Sequence, residues 1–288
     1  RYEMLIAFAD SHLDYLDTLH GLVVYLLSTR LPDDVAEFWS SATITGLLKI
    51  PPHALAKARA DAAEKGIPFA LPLRPVAYGS ALMRLVLATL LTATKAALIE
   101  AAGGAQYCLF LKGGIEMLQL AVQALPEGRP DLTLVPLDAR NAFNAMERPA
   151  IRAAIAARPE LHCLLQIFDT LYGRPSPLLF YRPGVLLPTT ILSERGVRQG
   201  CPLGMALYAI AFAPVLRRLQ HLGGEDAAAG AFADDAWVAM HPAHEQAFNN
   251  GLAREMGRIG LEPVRDRGKT YAVPARRASD PPRDAPPP

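Results

Sequence analysis

Three aspartates stand apart in this chain by the company they keep. Asp138 follows "LTLVPL", a short and nearly continuous apolar run, and Asp234-Asp235 interrupt a second one, "AFADDAWVAM". An ordinary polar turn is the plain reading of the pair, although a two-residue hairpin turn normally takes Gly or Asn. The more specific reading has Asp234 and Asp235 at the turn between two strands, with Asp138 at the end of a neighbouring strand. Three carboxylates then meet at one sheet edge, repel one another, and need cations to offset their charge. Mg²⁺ suits such a site, because it takes hard oxygen ligands and is held by one or two carboxylates plus substrate phosphates. Two such ions about 3.5–4 Å apart stabilise the attacking and leaving oxygens of an in-line phosphoryl displacement. Nucleotide addition is that chemistry.

Other residues fit the same task. Backbone N–H groups of Ala139 and Arg140, just past the first strand, can face a triphosphate. Phe143 lies five positions after Asp138, where its ring can be a flat wall under a sugar or a plain core aromatic. Gln199-Gly200 sits in a glycine-containing loop, where a polar side chain and bare backbone can approach a base pair or ribose. Arg74 and Lys269 can supply positive charge to phosphates.

These residues need elements to position them. Residues 1–48 show helical periodicity with one break at Leu31-Pro32-Asp33-Asp34, where Asp33 can cap a helix. A helix is expected after Pro51-Pro52 and up to Gly66, and the proline-rich segment to Ser80 reads as extended or irregular. Apolar spacing is helical from Ala81 to Ala102 and again from Ile115 to Ala124, with a strand or loop between. Leu132–Leu137 is a buried strand; a helix starts near Pro149 and stops at Pro159; residues 161–172 are helical. A hairpin with its turn near Pro183-Gly184 follows, then a helix after Pro202, the hairpin carrying Asp234-Asp235, and a helix over 243–259. That order is an α+β pattern with a small, mainly antiparallel sheet.

Bulk properties allow this without demanding it. With 288 residues and 51% hydrophobic composition, the chain can bury a sizeable core in one or two domains. A net charge of +1 neither announces nor excludes a nucleic-acid surface. Cys108, Cys163 and Cys201 form no CxxC pair and no disulfide framework, so a reducing, intracellular compartment is expected. The apolar stretches are too short or too interrupted for a membrane span, and no targeting signal is seen. The chain begins with Arg1 and is expected to be a fragment or processed piece, ending in a disordered proline-rich tail over 273–288.

The segments "LDARNAFNAMERPAI", "GVRQGCPLG" and "AFADD", in this order, resemble the three central palm motifs of reverse transcriptases, most closely those of retrotransposons lacking long terminal repeats. "LRPVAYGSALMRLV" resembles the fingers motif of that family, "AQYCLFLKGGIEML" the segment that follows it, and "GLEPVRDRGKT" the fourth palm motif. The resemblance runs over roughly residues 45–272. It implies a right-hand polymerase: an N-terminal helical extension over 1–44, fingers over 45–130 and palm over 131–272. It also implies that Asp138, Asp234 and Asp235, with the backbone of Ala139, hold two Mg²⁺ ions, with Mn²⁺ as a substitute. Phe143 would exclude a ribose 2′-hydroxyl, Gln199 and Gly200 would meet the nucleotide and template pair, Arg74 and the Ala139-Arg140 backbone would hold the triphosphate, and Lys269 would protonate the leaving pyrophosphate. The implied partners are an RNA template, a DNA primer and dNTPs, and the implied compartment is the nucleus if the element is eukaryotic.

Departures from the family's pattern are Phe232 where many relatives have Tyr, Val76 for Ile, and Asp266 for Asn. Lys49 lies far from Arg74 for a fingers lysine, and no thumb, endonuclease or zinc-knuckle pattern is visible. Among the remaining residues, His241 and His244 read as surface histidines, and Cys201 has no adjacent base to make it a nucleophile. Trp237 reads as core packing, Gly113-Gly114 as a helix-entry turn, and Arg217-Arg218 as a solvated helix end. The competing reading of the whole is a catalytically silent palm that binds nucleic acid or protein.

Overall fold

A computed structural model describes residues 13–264. Helices α1 (Leu13–Ser28) and α2 (Asp33–Ser40) lead into strand β1 (Ala42–Leu48). Helix α3 (Pro52–Glu64), strand β2 (Leu73–Tyr78), and helices α4 (Ala81–Ala93), α5 (Lys95–Ala102) and α6 (Gly114–Gly128) follow. Next come β3 (Thr133–Leu137), α7 (Ala142–Ala145), α8 (Arg148–Ala156), a 3₁₀ turn (Pro159–Leu164) and α9 (Leu165–Tyr172). Strands β4 (Ser176–Phe180) and β5 (Thr189–Ser193), helix α10 (Gly204–Leu222), strands β6 (Ala228–Phe232) and β7 (Asp235–Met240), a short 3₁₀ turn (Pro242–His244) and α11 (Glu245–Gly257) complete the order.

Two sheets result. One has the order β3-β7-β6 and is antiparallel throughout. Its strands alternate between two covered faces. Val135, Leu137, Ala236, Val238 and Met240 join the main core, where α10 runs buried along most of its length. Leu134, Trp237 and Ala239 meet Leu118, Val122 and Leu125 of α6 on the other face. Pro136 is tolerated in β3 because that strand lies at the sheet edge. The second sheet has the order β2-β1-β4-β5, with one parallel pairing, β1 with β4. It therefore draws its strands from both 42–78 and 176–193, and its own small core is Ala42, Ala77 and Leu178 with Ile44 packed against it.

Several expectations change in detail. The apolar stretch 81–102 is two helices bent by 69° at Thr94, whose hydroxyl donates to the Leu90 carbonyl at 2.7 Å. Residues 42–48 form a strand, since tertiary pairing of the β-branched Thr43, Ile44 and Thr45 with β2 outweighs the surrounding helical pattern. Asp33 is the first residue of α2 rather than its cap, and its carboxylate pairs with Arg174 at 2.6 Å. Arg218 is no free helix end: with Arg258 and Arg254 it surrounds buried Glu255 at 2.7–3.0 Å, tying α10 to α11. No single helix among the described residues is long and apolar enough to cross a membrane.

Candidate active site

The two-residue turn between β6 and β7 is Ala233-Asp234, because Phe232 pairs with Asp235. Asp235 is thus the first residue of β7, not a turn residue as the apolar flanks suggest. The antiparallel register then decides the rest. Leu137 pairs with Ala236, so the next step along the ladder sets Asp138 opposite Asp235. Cross-strand neighbours share a face about 4.5–5.5 Å apart at Cβ. Asp138 and Asp235 thus continue the row begun by Pro136 and Trp237, beside a cavity of about 310 Å³ that α6 closes with Leu118 and Val122. Asp234 stands at the turn just beside them. The three acids are close enough to act on one another: burial raises the Asp234 carboxyl above the usual range, and the charges of Asp235 and Asp138 raise it further, against a downward pull from Arg74.

Tyr208 of α10 lies beneath this cluster. Its ring is fully buried and stacks on Phe143 of α7, with centroids 4.8 Å apart. Phe212 continues the stack at 5.6 Å. Burial raises the Tyr208 hydroxyl well above its ordinary value, and Asp234, Asp138 and Asp235 add to the effect. Phe143 is half-buried, with one face against Tyr208. The wall and core readings of this ring are therefore compatible.

Asn141, in the left-handed conformation with φ 50°, turns the chain sharply after Asp138 and starts α7. Asn tolerates that conformation better than most residues. Arg140 departs from expectation. Its amide donates to the Glu262 carbonyl at 3.0 Å and Val264 donates back to Asp138 at 2.9 Å, so chain 262–264 covers this backbone. The ladder uses the Arg140 N–H that was expected to face a phosphate. Ala139 is buried beside the same segment, paired with Pro263.

Gln199 and Gly200 are held against β2. The Ala77 amide of β2 donates to the Gln199 carbonyl at 2.7 Å. Gly200 has φ 108°, and a Cβ there would lie 2.6 Å from the Ala77 carbonyl oxygen, so only glycine fits. Val197 donates to the Phe143 carbonyl at 2.8 Å, which joins this loop to α7. Arg74 extends from the exposed start of β2, near enough to Asp234 to be felt. Lys269 lies outside the described residues, as does the Lys-Thr end of the fourth motif.

Two buried arginines went unnoticed in the sequence. Arg148 donates to the carbonyls of Gly196 and Arg174 and to the Ser193 hydroxyl, at 3.1, 3.0 and 2.8 Å. Arg198 donates to the Leu171 carbonyl and to Ser176 Oγ, at 3.1 and 2.6 Å. Both guanidinium groups lie over the Tyr172 ring, 5.3 and 5.4 Å from its centroid. Burial, and then the charge of Arg198, lowers Arg148 to about 10. Together they fix the ends of β4 and β5 and hence the loop that presents Gln199. A Pro after Arg148 read only as a helix start, so no local signal marked the pair. Burial also raises the Cys201 thiol, which leaves it protonated rather than nucleophilic.

The donor set suits Mg²⁺. All three carboxylates offer hard oxygens, and a partly buried acid pushed upward by two like charges is stabilised by any cation that joins it. Among the described residues no three acidic, histidine or cysteine side chains close on one point as a finished metal cage. A site completed by substrate phosphates needs none.

The fold is mixed α/β with mainly antiparallel sheets, the fingers–palm type of architecture. No family model matches the chain. It is similar to the Retrotransposable element SLACS 132 kDa protein of Trypanosoma brucei gambiense, with 36% identity over 129 residues. That match takes in 45% of this chain and 11% of the SLACS protein, so the chain spans a small part of that relative's length. Its fold is similar to apo telomerase from Candida tropicalis truncated from the C-terminal domain, with a TM-score of 0.54 and 10% identity over 84% of this chain and 51% of that one.

Proposed function

We propose that this chain is the fingers–palm part of an RNA-directed DNA polymerase from a mobile element. In this reading it adds dNTPs to a DNA 3′ end along an RNA template with Mg²⁺. The observation that carries the reading is the register that sets Asp138 opposite Asp235 with Asp234 at the adjoining turn. Similarity to a retrotransposable element protein and the polymerase fold support it.

Each residue then has a task. Asp138, Asp234 and Asp235, with the Ala139 backbone, hold the metal ions, which supply charge stabilisation to an in-line displacement. Phe143, backed by Tyr208, closes the space beside the sugar and disfavours a 2′-hydroxyl. Gln199 and Gly200 line the approach to the base pair, and their hydrogen bond to β2 couples that contact to the strand carrying Arg74. Arg74 steadies the triphosphate charge. Lys269 is assigned the proton delivered to leaving pyrophosphate.

Primer extension by the natural full-length protein tests this. Poly(rA) primed with oligo(dT) should be copied with dTTP, far less with UTP, and not at all by Asp138→Asn. A wild-type protein that binds the hybrid yet incorporates nothing with Mg²⁺ or Mn²⁺ would favour the silent scaffold.

A further inference from the structure

We infer that Gln106 is a positioning residue for the metal-binding turn: its carboxamide clamps Ala233 and so aims Asp234. The inference rests on the polymerase reading above for its catalytic consequence, but not for its geometry. Gln106 Nε2 donates to the Ala233 carbonyl at 3.3 Å, and the Ala233 amide donates to Gln106 Oε1 at 3.2 Å. One side chain thus satisfies both backbone groups of a single residue 127 positions away. Gln106 and Ala233 are both buried, so neither backbone group has water as an alternative.

Ala233 needs such a clamp. Its φ is 56°, the left-handed region that glycine favours and alanine avoids. A two-residue turn with positive φ at its first position normally carries glycine there. The strain persists because surrounding structure over-determines it, and strained residues of this kind cluster at functional sites. Asp234 is the next residue, so relaxation at Ala233 would swing its carboxylate away from Asp138 and Asp235.

Gln106 is itself anchored. Ala231 donates to the Ala105 carbonyl at 2.7 Å and Tyr107 donates to the Ala231 carbonyl at 2.8 Å, so residues 105–107 lie along the free edge of β6. Cys108 Sγ adds a third contact to Gln106 Oε1 at 3.3 Å, and burial raises that thiol to about 11, keeping its proton in place to donate. An acid at this position would keep an acceptor but lose the Nε2 donor, and would set a further negative charge beside Asp234.

The test compares Gln106→Met, Ala233→Gly and the double variant in the full-length protein. Methionine keeps the volume and removes both hydrogen bonds; glycine makes the left-handed turn free of strain without a clamp. In Gln106→Met, kcat for nucleotide addition should fall at least tenfold with the primer–template KM within twofold. Mn²⁺ affinity, read by electron paramagnetic resonance, should fall in parallel, and the Ala233 amide should exchange faster. Adding Ala233→Gly should restore most of the Mn²⁺ affinity and rate. A merely structural role predicts a lower Tm with no such rescue. If the wild type binds Mn²⁺ but extends no primer, the polymerase reading falls while the Mn²⁺ and exchange data still decide the clamp. Unchanged exchange and Mn²⁺ affinity in Gln106→Met, or no recovery in the double variant, would overturn it.

Discussion

The two sheets of this molecule are built to different standards. In the three-stranded sheet, β7 is buried from Ala236 to Met240, and helices cover both faces. In the four-stranded sheet, β5 is exposed over most of its length, β1 is exposed beyond Ile44, and Leu47, Ile191 and Leu192 each keep about half their surface in water. The first sheet carries the three aspartates, and the second carries Arg74 and borders Gln199. In the proposed reading the carboxylates share ions, and a packed ladder suits the close positioning that a shared ion requires. Groups that follow a substrate in and out belong on less stable structure. The difference teaches that one chain can pack one sheet on both faces and leave another largely open to water, with the Ala77 to Gln199 hydrogen bond tying the open sheet to the loop before α10.

The sharpest way to break the comparison is chemical. Asp138→Asn should lower primer extension by about 100-fold or more, since one misplaced metal costs transition-state stabilisation. Thermal denaturation should be nearly unchanged, because the substitution keeps the volume. Activity within a few-fold of wild type would remove the site from the packed sheet.

Packing sharpens it next. Met240→Ala, at a fully buried position of β7, should cost about 2–5 kcal/mol in urea unfolding. Leu192→Ala on β5, 55% exposed, should cost under about 0.5 kcal/mol. Equal losses would show the two sheets to be one cooperative unit of even stability.

Sugar choice reports on the seam between them. Phe143→Val should raise the UTP to dTTP incorporation ratio by about tenfold, as removal of a clash relaxes discrimination. An unmoved ratio would make Phe143 a packing residue only.

The smallest expected effect is on the pH dependence of stability. The folded carboxyl of Asp234 is raised, chiefly by burial, so the folded state holds this proton more tightly than the unfolded chain. Its contribution to stability is therefore present below the unfolded value of about 3.9 and is lost as pH rises through the raised folded value. Asp234→Asn should be more stable than wild type at neutral pH, with the gain shrinking on acidification, while activity is lost. Denaturation midpoints across a pH series would show it, and a variant less stable at every pH would contradict it.

Much of the architecture was legible in sequence because it is local. Apolar periodicity marks α10, the run Leu132–Leu137 marks β3, and prolines mark the start of α8 and the break before α9. Strand β1 was not legible, since its pairing partner lies in the proline-rich segment that ends at Ser80. The 69° bend at Thr94 was not legible either, because the apolar spacing runs across it without a break.

The aspartates themselves could be picked out by residue type, because acids inside apolar runs demand an explanation. Their exact arrangement could not. A one-residue shift of register would send every side chain of a strand to the opposite face, and only the ladder between β3 and β7 shows Asp138 opposite Asp235. Likewise the sequence names Gln106, Arg148 and Arg198 without a role. They act through hydrogen bonds to carbonyls and amides tens of residues away, and backbone groups carry no identity in a sequence. Side-chain type and short-range order are thus written in the chain, whereas the pairing of distant backbone, which aims the carboxylates, exists only once the chain has folded.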